Sequence, residues 1–184
     1  YDRRMPEEIN RMLTDVLSDY LFTTEESASR NLEREGIAID KIHLVGNVMI
    51  DTLLSLEGCA RAMKSWEQLG LTQGEYAVVT LHRPENVDDP KQIESLICLL
   101  EGVRSHLEVI FPIHPRTMKR IREAGLAARF EDRNAVHVCA PLPYVKFLSL
   151  MVGSRLVLTD SGGIQEETTM LGIPCLTLRN STER

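Results

Sequence analysis

One segment near the end of the sequence, residues 156–178, has the pattern of a strand, a turn, a helix and a second strand. Its first apolar run, residues 156–158, is typical of a parallel strand that is buried on both faces. Gly162 and Gly163 stand where the strand passes into the helix, and Gly172 is placed to end that helix. This βαβ pattern constrains the fold strongly, because parallel strands require a crossover connection between them.

The same alternation extends along the whole chain. Strands are predicted at residues 20–22, 42–45, 76–81, 108–111, 136–139, 156–158 and 175–178. Helical spacing separates them, with predicted helices at residues 6–17, 24–35, 48–62, 90–103, 117–124, 144–152 and 164–171. Thr23 and Glu26 predict a capping box for the second of these helices, and residues 82–88 are predicted as a loop. We therefore predict the α/β class with a Rossmann-like parallel sheet.

Three chemistry-bearing side chains follow predicted strands directly. His82, His114 and Ser161 each stand just after a strand, and ligands of parallel sheets bind at the carboxyl ends of the strands. We expect the three to face one crevice. A loop histidine there can act as a general acid or as a cation beside a phosphate; the alternative is a structural histidine.

The turn that begins at Ser161 has the features of a phosphate site. The first amides of a helix lack partners inside it and carry partial positive charge, and Gly162 and Gly163 let a phosphate approach them closely. Ser161 can cap the helix or contact a phosphate oxygen. Glu166 and Glu167 lie about one turn on, and a carboxylate there can complement the helix dipole or accept ribose hydroxyls. An ordinary helix start with an acidic first turn explains the same residues, so both readings stay open.

Composition narrows the possible partners and cofactors. A net charge of −6 and a pI of about 5.4 argue against nucleic acid or an anionic membrane as the main partner. No His, Cys and carboxylate set has metal-ligand spacing, and the P-loop, the nucleophile elbow and G-x-G-x-x-G are absent. We expect no metal and no cofactor. The four widely spaced cysteines are predicted to be buried thiols in a reducing compartment, hence a cytoplasmic protein.

Five motifs in register resemble the non-hydrolysing UDP-N-acetylglucosamine 2-epimerase family. They are PEEINR at residues 6–11, GNVMID at 46–51, TLHRPEN at 80–86, TDSGGIQEE at 159–167 and RNSTER at 179–184. The resemblance implies the glycosyltransferase-B arrangement of two facing Rossmann-like domains. Residues 1–45 would then end a first domain that is mostly absent from this sequence, residues 46–75 would cross between domains, and residues 76–184 would be a truncated UDP-binding domain.

The resemblance also implies the activity. The family interconverts UDP-N-acetylglucosamine and UDP-N-acetylmannosamine, for the synthesis of cell-surface polysaccharide precursors. UDP is eliminated to give a 2-acetamidoglucal and is then added back with the C2 proton on the other face. We expect a UDP-sugar as the partner, a homodimer of the full-length protein, and no activity from this chain alone, because opposing catalytic carboxylates lie outside it.

Residue roles follow from the same resemblance. His82 matches the catalytic histidine and Glu7 an active-site carboxylate. Ser161, Gly162 and Gly163 match the phosphate-binding turn, Glu167 the ribose-binding acid and Arg184 a phosphate-contacting arginine. Arg83 and His114 match positions that help to bind a second UDP-sugar as an allosteric activator in bacterial members. Those members usually have a second arginine where this sequence has Pro84.

Two alternatives remain open at this point. A sugar-nucleotide glycosyltransferase of the same fold would also use a helix N-terminus and a glutamate for its nucleotide, and the chain by itself could only bind UDP. The TLHRPEN and PEEINR motifs favour the epimerase. The sequence leaves the sugar undecided, since related epimerases act on diacetamido or uronate variants.

Overall fold

The computed structural model of the 184-residue chain describes residues 6–131 and 136–179. Two compact units divide the chain, residues 1–52 and residues 53–184. The α-helices are α1 (Pro6–Leu17), α2 (Glu26–Arg34), α3 (Val48–Met63), α4 (Ser65–Gln68), α5 (Pro84–Val87), α6 (Pro90–Arg104), α7 (Pro115–Glu123), α8 (Ala127–Glu131), α9 (Tyr144–Gly153) and α10 (Gly162–Leu171). The strands are β1 (Leu21–Thr23), β2 (Ile42–Leu44), β3 (Tyr76–Thr80), β4 (Glu108–Pro112), β5 (His137–Cys139), β6 (Leu156–Thr159) and β7 (Cys175–Thr177).

The first unit contains a small parallel pair of strands. β1 pairs with β2, with Leu21 opposite Ile42 and Thr23 opposite Leu44. Within the described part of α1 no residue is buried, and Leu13 and Leu17 are 62% and 84% exposed. Two strands bury little apolar surface, so hydrophobic packing contributes little to the stability of this unit by itself.

The second unit is built on a five-stranded parallel sheet with the order β5-β4-β3-β6-β7. The chain starts at the central strand β3, moves outward to β4 and β5, then returns to the other side of β3 with β6 and β7. The strand order therefore reverses between β3 and β6, which is the topological switch point where such sheets bind ligands. The predicted α/β class with a parallel sheet is confirmed.

Two hydrophobic clusters cover the two faces of this sheet. Along β3 the side chains alternate, because successive residues of a strand point to opposite faces. Ala77 and Val79 join a cluster with α6 and α7, and Tyr76 and Val78 join a cluster with α3, α4 and α9. All four side chains have no exposed surface, and full burial of each valine contributes about 1.5–3 kcal/mol.

Three local predictions are wrong. Thr23 lies in β1, with its hydroxyl 2.7 Å from that of Ser29, and Glu25 holds the N-cap position of α2 without a side-chain cap bond, so there is no capping box. The predicted loop at residues 82–88 contains α5, since Pro84 presets helical geometry at its first position. Helix α7 begins at Pro115 instead of residue 117, because His114 caps it.

The cysteines differ from the prediction of buried thiols. All four are free; Cys59 and Cys98 are exposed, while Cys139 and Cys175 are half-buried. Cys59 and Cys98 lie on helices α3 and α6, where a polar face points to solvent. A search of the described residues finds no helix long and apolar enough to cross a membrane.

Gly153 provides a test of the packing against the sheet. A Cβ at this position would lie 2.6 Å from the Tyr76 hydroxyl oxygen and closer still to the buried ring of Trp66. We expect Gly153→Ala to lower the free energy of unfolding by about 1–3 kcal/mol, the usual cost of overpacking a core. Chemical denaturation measures it.

Gly102→Ala is the matched control for this substitution. Gly102 lies in α6 with no atom within 4 Å of an added Cβ, so alanine there should raise stability by about 0.5–1 kcal/mol through helix propensity. Equal effects of the two substitutions would show that Gly153 is not tightly packed.

Candidate functional site

The ends of β3 and β6 lie side by side at the switch point. Thr80 pairs with Thr159 in the parallel register, and the backbone amide of Asp160 donates to the Thr80 carbonyl at 3.4 Å. The next residues along each strand are therefore brought together, His82 from one loop and Asp160 with Ser161 from the other. As predicted from the strand ends, the loops of His82 and Ser161 meet at one edge of the sheet.

Asp160 is the residue that joins these two loops. Its side chain has no exposed surface, and its carboxylate accepts hydrogen bonds from the backbone amides of His82 (3.1 Å) and Arg83 (2.9 Å). The side-chain amide of Asn86 donates to the same carboxylate at 2.9 Å. Three donors from one loop thus compensate the cost of burying this charge.

Asn86 extends the connection to a third strand end. Its amide nitrogen also donates to the carbonyl of Leu178 at 3.0 Å, just after β7, and the Leu178 amide donates to the Thr159 carbonyl at 2.8 Å. The ends of β3, β6 and β7 are therefore linked by a single polar network. No role was predicted for Asp160 or Asn86 from the sequence. Asp160 could have been noticed as an acidic residue that directly follows a buried strand.

The imidazole of His82 lies between this network and solvent. Its Nδ1 is 3.1 Å from Oδ1 of Asp160, and its side chain is 55% exposed while that of Asp160 is fully buried. Nδ1 of His82 thus contacts the buried Asp160 carboxylate, and the exposed part of the ring can contact a ligand. This placement suits a histidine that receives, donates or holds a proton at the switch point.

Helix α10 starts beside His82 and directs its first amides to the same edge of the sheet. Ser161 is at the N-cap position with an extended backbone, but its side chain makes no cap bond; its backbone amide donates to the Thr159 hydroxyl at 3.0 Å. Gly162 and Gly163 are the first two residues of the helix. Their amides belong to the first turn, which has no intrahelical partners, and they suit an anion.

Glu167 is buried on α10 in an unfavourable environment for a charge. It is 4% exposed, and its Oε1 accepts a hydrogen bond from the Tyr144 hydroxyl at 3.0 Å. Its other oxygen, Oε2, is buried and has no hydrogen-bond partner among the described residues. Burial raises the pKa of Glu167; the Tyr144 hydrogen bond lowers it, and the charge of Glu166 raises it.

Tyr144 responds to the same contact. Burial, followed by the charge of Glu167 and the hydrogen bond to it, raises the pKa of Tyr144 to about 12. The hydroxyl therefore stays protonated at physiological pH and remains a donor to Glu167. Because Tyr144 is the first residue of α9 and Glu167 lies on α10, no sequence spacing pointed to this pair.

His114 occupies the end of the neighbouring strand β4 and has a different role in the fold. It is exposed and stands at the N-cap of α7, where its Nδ1 accepts a hydrogen bond from the Arg116 amide at 3.3 Å. The Arg116 guanidinium pairs with Asp88 at 2.8 Å. Arg83 stands at the N-cap of α5, three residues after the end of β3.

Two further predicted site residues are Glu7 and Arg184. Glu7 is an exposed residue in the first turn of α1, in the first unit. Its neighbour Arg11 pairs with Glu8, Asp15 and Glu35, at 2.7, 2.6 and 2.8 Å, and hydrogen bonds to Glu8 and Glu35 raise the pKa of Arg11. Arg184 lies outside the described residues. Among residues 6–131 and 136–179, no group of three or more His, Cys, Asp and Glu side chains could hold a metal ion.

Comparisons with known proteins point to one family. A model of the UDP-N-acetylglucosamine 2-epimerase family matches residues 1–184. A curated UDP-N-acetylglucosamine 2-epimerase of Methanococcus maripaludis is 41% identical, with 100% of this chain and 52% of the relative covered. A UDP-2,3-diacetamido-2,3-dideoxy-D-glucuronate 2-epimerase of Pseudomonas aeruginosa is 40% identical, covering 100% and 50%.

A solved structure gives the same result. The crystal structure of Methanocaldococcus jannaschii UDP-GlcNAc 2-epimerase in complex with UDP-GlcNAc and UDP matches with a TM-score of 0.84 and 41% identity, covering 100% of this chain and 51% of that chain. The chain thus spans about half the length of the curated relatives it matches.

The Tyr144–Glu167 pair predicts a pH-dependent stability change. Glu167 has a raised pKa in the folded state, so its destabilising effect appears as pH rises from the ordinary glutamate value of about 4.3. Tyr144→Phe removes the bond that counteracts this shift. The substitution should lower the free energy of unfolding by about 1–2 kcal/mol at neutral pH, and by less near pH ~4.5, where a protonated Glu167 needs the donor less.

Tyr76→Phe is the matched control, measured by chemical denaturation at the same two pH values. It also removes a buried tyrosine hydroxyl, but that hydroxyl donates to the Leu150 carbonyl, which does not titrate. Its cost should be the same at both values. A cost of Tyr144→Phe that is independent of pH would contradict the assigned coupling.

Proposed function

Because the chain belongs to the UDP-N-acetylglucosamine 2-epimerase family, as its motifs predict, we propose that the full-length protein interconverts UDP-N-acetylglucosamine and UDP-N-acetylmannosamine. One observation carries the proposal. The switch point places a strand-end histidine, His82, beside the free first turn of α10. A cation-capable ring next to unpaired amides is the combination that a leaving diphosphate requires.

The reaction requires strong stabilisation of the diphosphate leaving group. The C2 hydrogen is on the carbon that carries the acetamido nitrogen, with no carbonyl group next to it, and is not acidic, so cleavage of the C1–O bond must supply much of the activation. As a base removes the C2 proton, UDP leaves C1 with the electron pair of the C1–O bond; negative charge accumulates on the β-phosphate, and a 2-acetamidoglucal with a C1–C2 double bond remains. The return step adds UDP to C1 and a proton to the opposite face of C2. Groups that stabilise the diphosphate charge act in both directions.

The first turn of α10 is proposed as the diphosphate site. The amides of Gly162 and Gly163 lack intrahelical partners by position, and the helix dipole favours an anion there. The Ser161 side chain does not make the N-cap hydrogen bond that serines usually make at this position, so its hydroxyl can contact a phosphate. Three donors from consecutive residues can thus converge on phosphate oxygens.

Glu167 is proposed as the ribose-binding acid. Its support is the buried Oε2 that has no hydrogen-bond partner within the described part of the chain, together with a pKa raised by burial. A buried carboxylate oxygen without a donor is costly, and a ribose hydroxyl reaching it would remove that cost. Nucleotide binding must shift Glu167 or Tyr144 to open access, since Glu167 is 4% exposed.

Further roles belong to the same proposal. Glu7 would contribute a carboxylate from the first unit and Arg184 a phosphate contact. Arg83 and His114 would help to bind a second UDP-sugar as activator. The proposal also includes a cytoplasmic homodimer that needs no cofactor. The chain by itself is expected to be inactive, since proton-transfer groups and diphosphate ligands must be held together.

A second sugar is the alternative with specific support. The Pseudomonas aeruginosa relative at 40% identity is named for a diacetamido glucuronate substrate, nearly as similar as the relative named for UDP-N-acetylglucosamine. Both substrates share UDP and a 2-acetamido group. The proposed site contacts only the shared nucleotide, so it serves either sugar.

The central experiment follows the C2 proton in the full-length protein. Incubation with UDP-N-acetylglucosamine in deuterated water should place deuterium at C2, detected by mass spectrometry and NMR. His82→Gln should slow this exchange by ~10²–10³, the typical loss when one group that stabilises transition-state charge is removed. Circular dichroism checks that the variant is folded.

His106→Gln serves as the matched control, because His106 is an exposed histidine between α6 and the start of β4, whereas His82 follows the carboxyl end of its strand. It should retain wild-type exchange. Exchange above half of the wild-type rate in a folded His82→Gln protein would rule out the role given to His82. Exchange only with the diacetamido glucuronate substrate would favour the second sugar.

A separate measurement tests the diphosphate site. Gly162→Val adds a branched side chain in the first turn of α10, where phosphate oxygens must approach the amides. UDP affinity, measured by calorimetry, should fall at least ~10-fold, equivalent to about 1.4 kcal/mol. Thr169→Val is the control, since Thr169 lies on the exposed side of the same helix. Equal UDP affinity of the two folded variants would place the diphosphate elsewhere.

A further inference from the structure

We propose that Asp160 is a positioning residue that holds neutral His82 in the tautomer with its proton on Nδ1, and that His114 is held in the opposite tautomer. The inference rests on the proposed function for its consequence, but its evidence is independent. It comes from the contacts of two ring nitrogens, each with a fixed partner. Neither partner can reverse its donor or acceptor character.

The partner of His82 is an acceptor only. An ionised carboxylate has lone pairs and no hydrogen to donate, and Oδ1 of Asp160 lies 3.1 Å from Nδ1 of His82. A bare ring nitrogen at that distance would set two lone pairs against each other. A proton on Nδ1 converts this repulsion into attraction, so the contact favours the Nδ1–H tautomer.

Asp160 has no alternative position. Its side chain has no exposed surface, and three donors hold its carboxylate: the amides of His82 and Arg83 and the Asn86 side chain. Because the His82 backbone is tied to the same carboxylate, ring and carboxylate are positioned together. Nε2, across the ring from Nδ1, is then the nitrogen available to a ligand, and it carries a lone pair when the ring is neutral.

The partner of His114 is a donor only. The backbone amide of Arg116 donates to Nδ1 of His114 at 3.3 Å, so this nitrogen must keep its lone pair. The proton of neutral His114 is therefore on Nε2. Two histidines at neighbouring strand ends thus present opposite Nε2 atoms to solvent: an acceptor on His82 and a donor on His114.

Because Nε2 is an acceptor in neutral His82 and a donor in neutral His114, the two rings can play different roles. Neutral His82 cannot donate to a diphosphate oxygen from Nε2; it must first take up a proton there, and the resulting cation is balanced by Asp160. His82 can therefore exchange a proton with a ligand and return to one defined neutral state. His114 can donate to an anion without any change of protonation.

The tautomers are measurable in the wild-type protein by NMR after selective ¹⁵N labelling of histidine. Spectra are recorded along an alkaline pH series until the ring ¹⁵N shifts stop changing, so that the neutral form of each ring is the one observed. His82→Gln and His114→Gln assign the signals. We expect the protonated nitrogen to be Nδ1 in His82 and Nε2 in His114. The same tautomer in both rings would overturn the proposal.

Asp160→Asn tests the consequence for turnover. The variant keeps a carbonyl acceptor but introduces an amide donor, so the His82 tautomer should shift, and C2 exchange should fall at least tenfold; loss of a histidine-orienting aspartate costs up to ~10⁴ in a well-studied hydrolase. Unchanged tautomer and turnover in a folded variant would refute the assignment. If Asp160→Asn does not fold, the wild-type spectra decide.

These outcomes are separable from the proposed function. A wild-type protein without C2 exchange would refute the epimerase proposal, while the His82 and His114 spectra would still decide the tautomers. Normal exchange with the wrong His82 tautomer would leave the epimerase intact and remove only the role of Asp160.

Discussion

A buried carboxylate has to be surrounded by donors, and at the end of β6 the available donors belong to the loop that follows β3. Asp160 is fully buried there and takes the amides of His82 and Arg83 together with the Asn86 side chain. The conformation of this loop is therefore determined by the hydrogen bonds that the Asp160 carboxylate accepts. Pro84 at the first position of α5 fixes the turn that brings these donors inward. The orientation of His82 follows from this packing and does not depend on a ligand.

Two buried carboxylates of the second unit, those of Asp160 and Glu167, have opposite hydrogen-bonding environments. Asp160 has a full set of donors, whereas Glu167 has one donor, Tyr144, and an oxygen without a partner among the described residues. The first arrangement stabilises the fold. The second reduces stability, and under the proposed function a ribose hydroxyl would supply the missing donor; binding sites commonly exchange stability for function in this way.

The sequence predicted the alternation of strands and helices because apolar periodicity and glycine punctuation are local signals. It also located His82, His114 and Ser161, since strand order requires that carboxyl ends share one edge. Contacts between segments that are far apart in the chain could not be predicted from the sequence. The Asp160–Asn86 and Tyr144–Glu167 pairs join residues 74 and 23 positions apart, and no spacing rule reports such pairs. The short α5 and the early start of α7 were missed because tertiary or cap contacts set them.

The single tryptophan of the chain, Trp66, lies in the cluster that packs on one face of the five-stranded sheet, 5% exposed and beside Gly153. The other buried residues of this cluster also belong to the second unit. The fluorescence of this one indole is therefore an intrinsic probe of the second unit. Opening of the five-stranded sheet that carries the candidate site would expose this ring to water and shift its emission to the red, so unfolding of the second unit can be followed without any added dye.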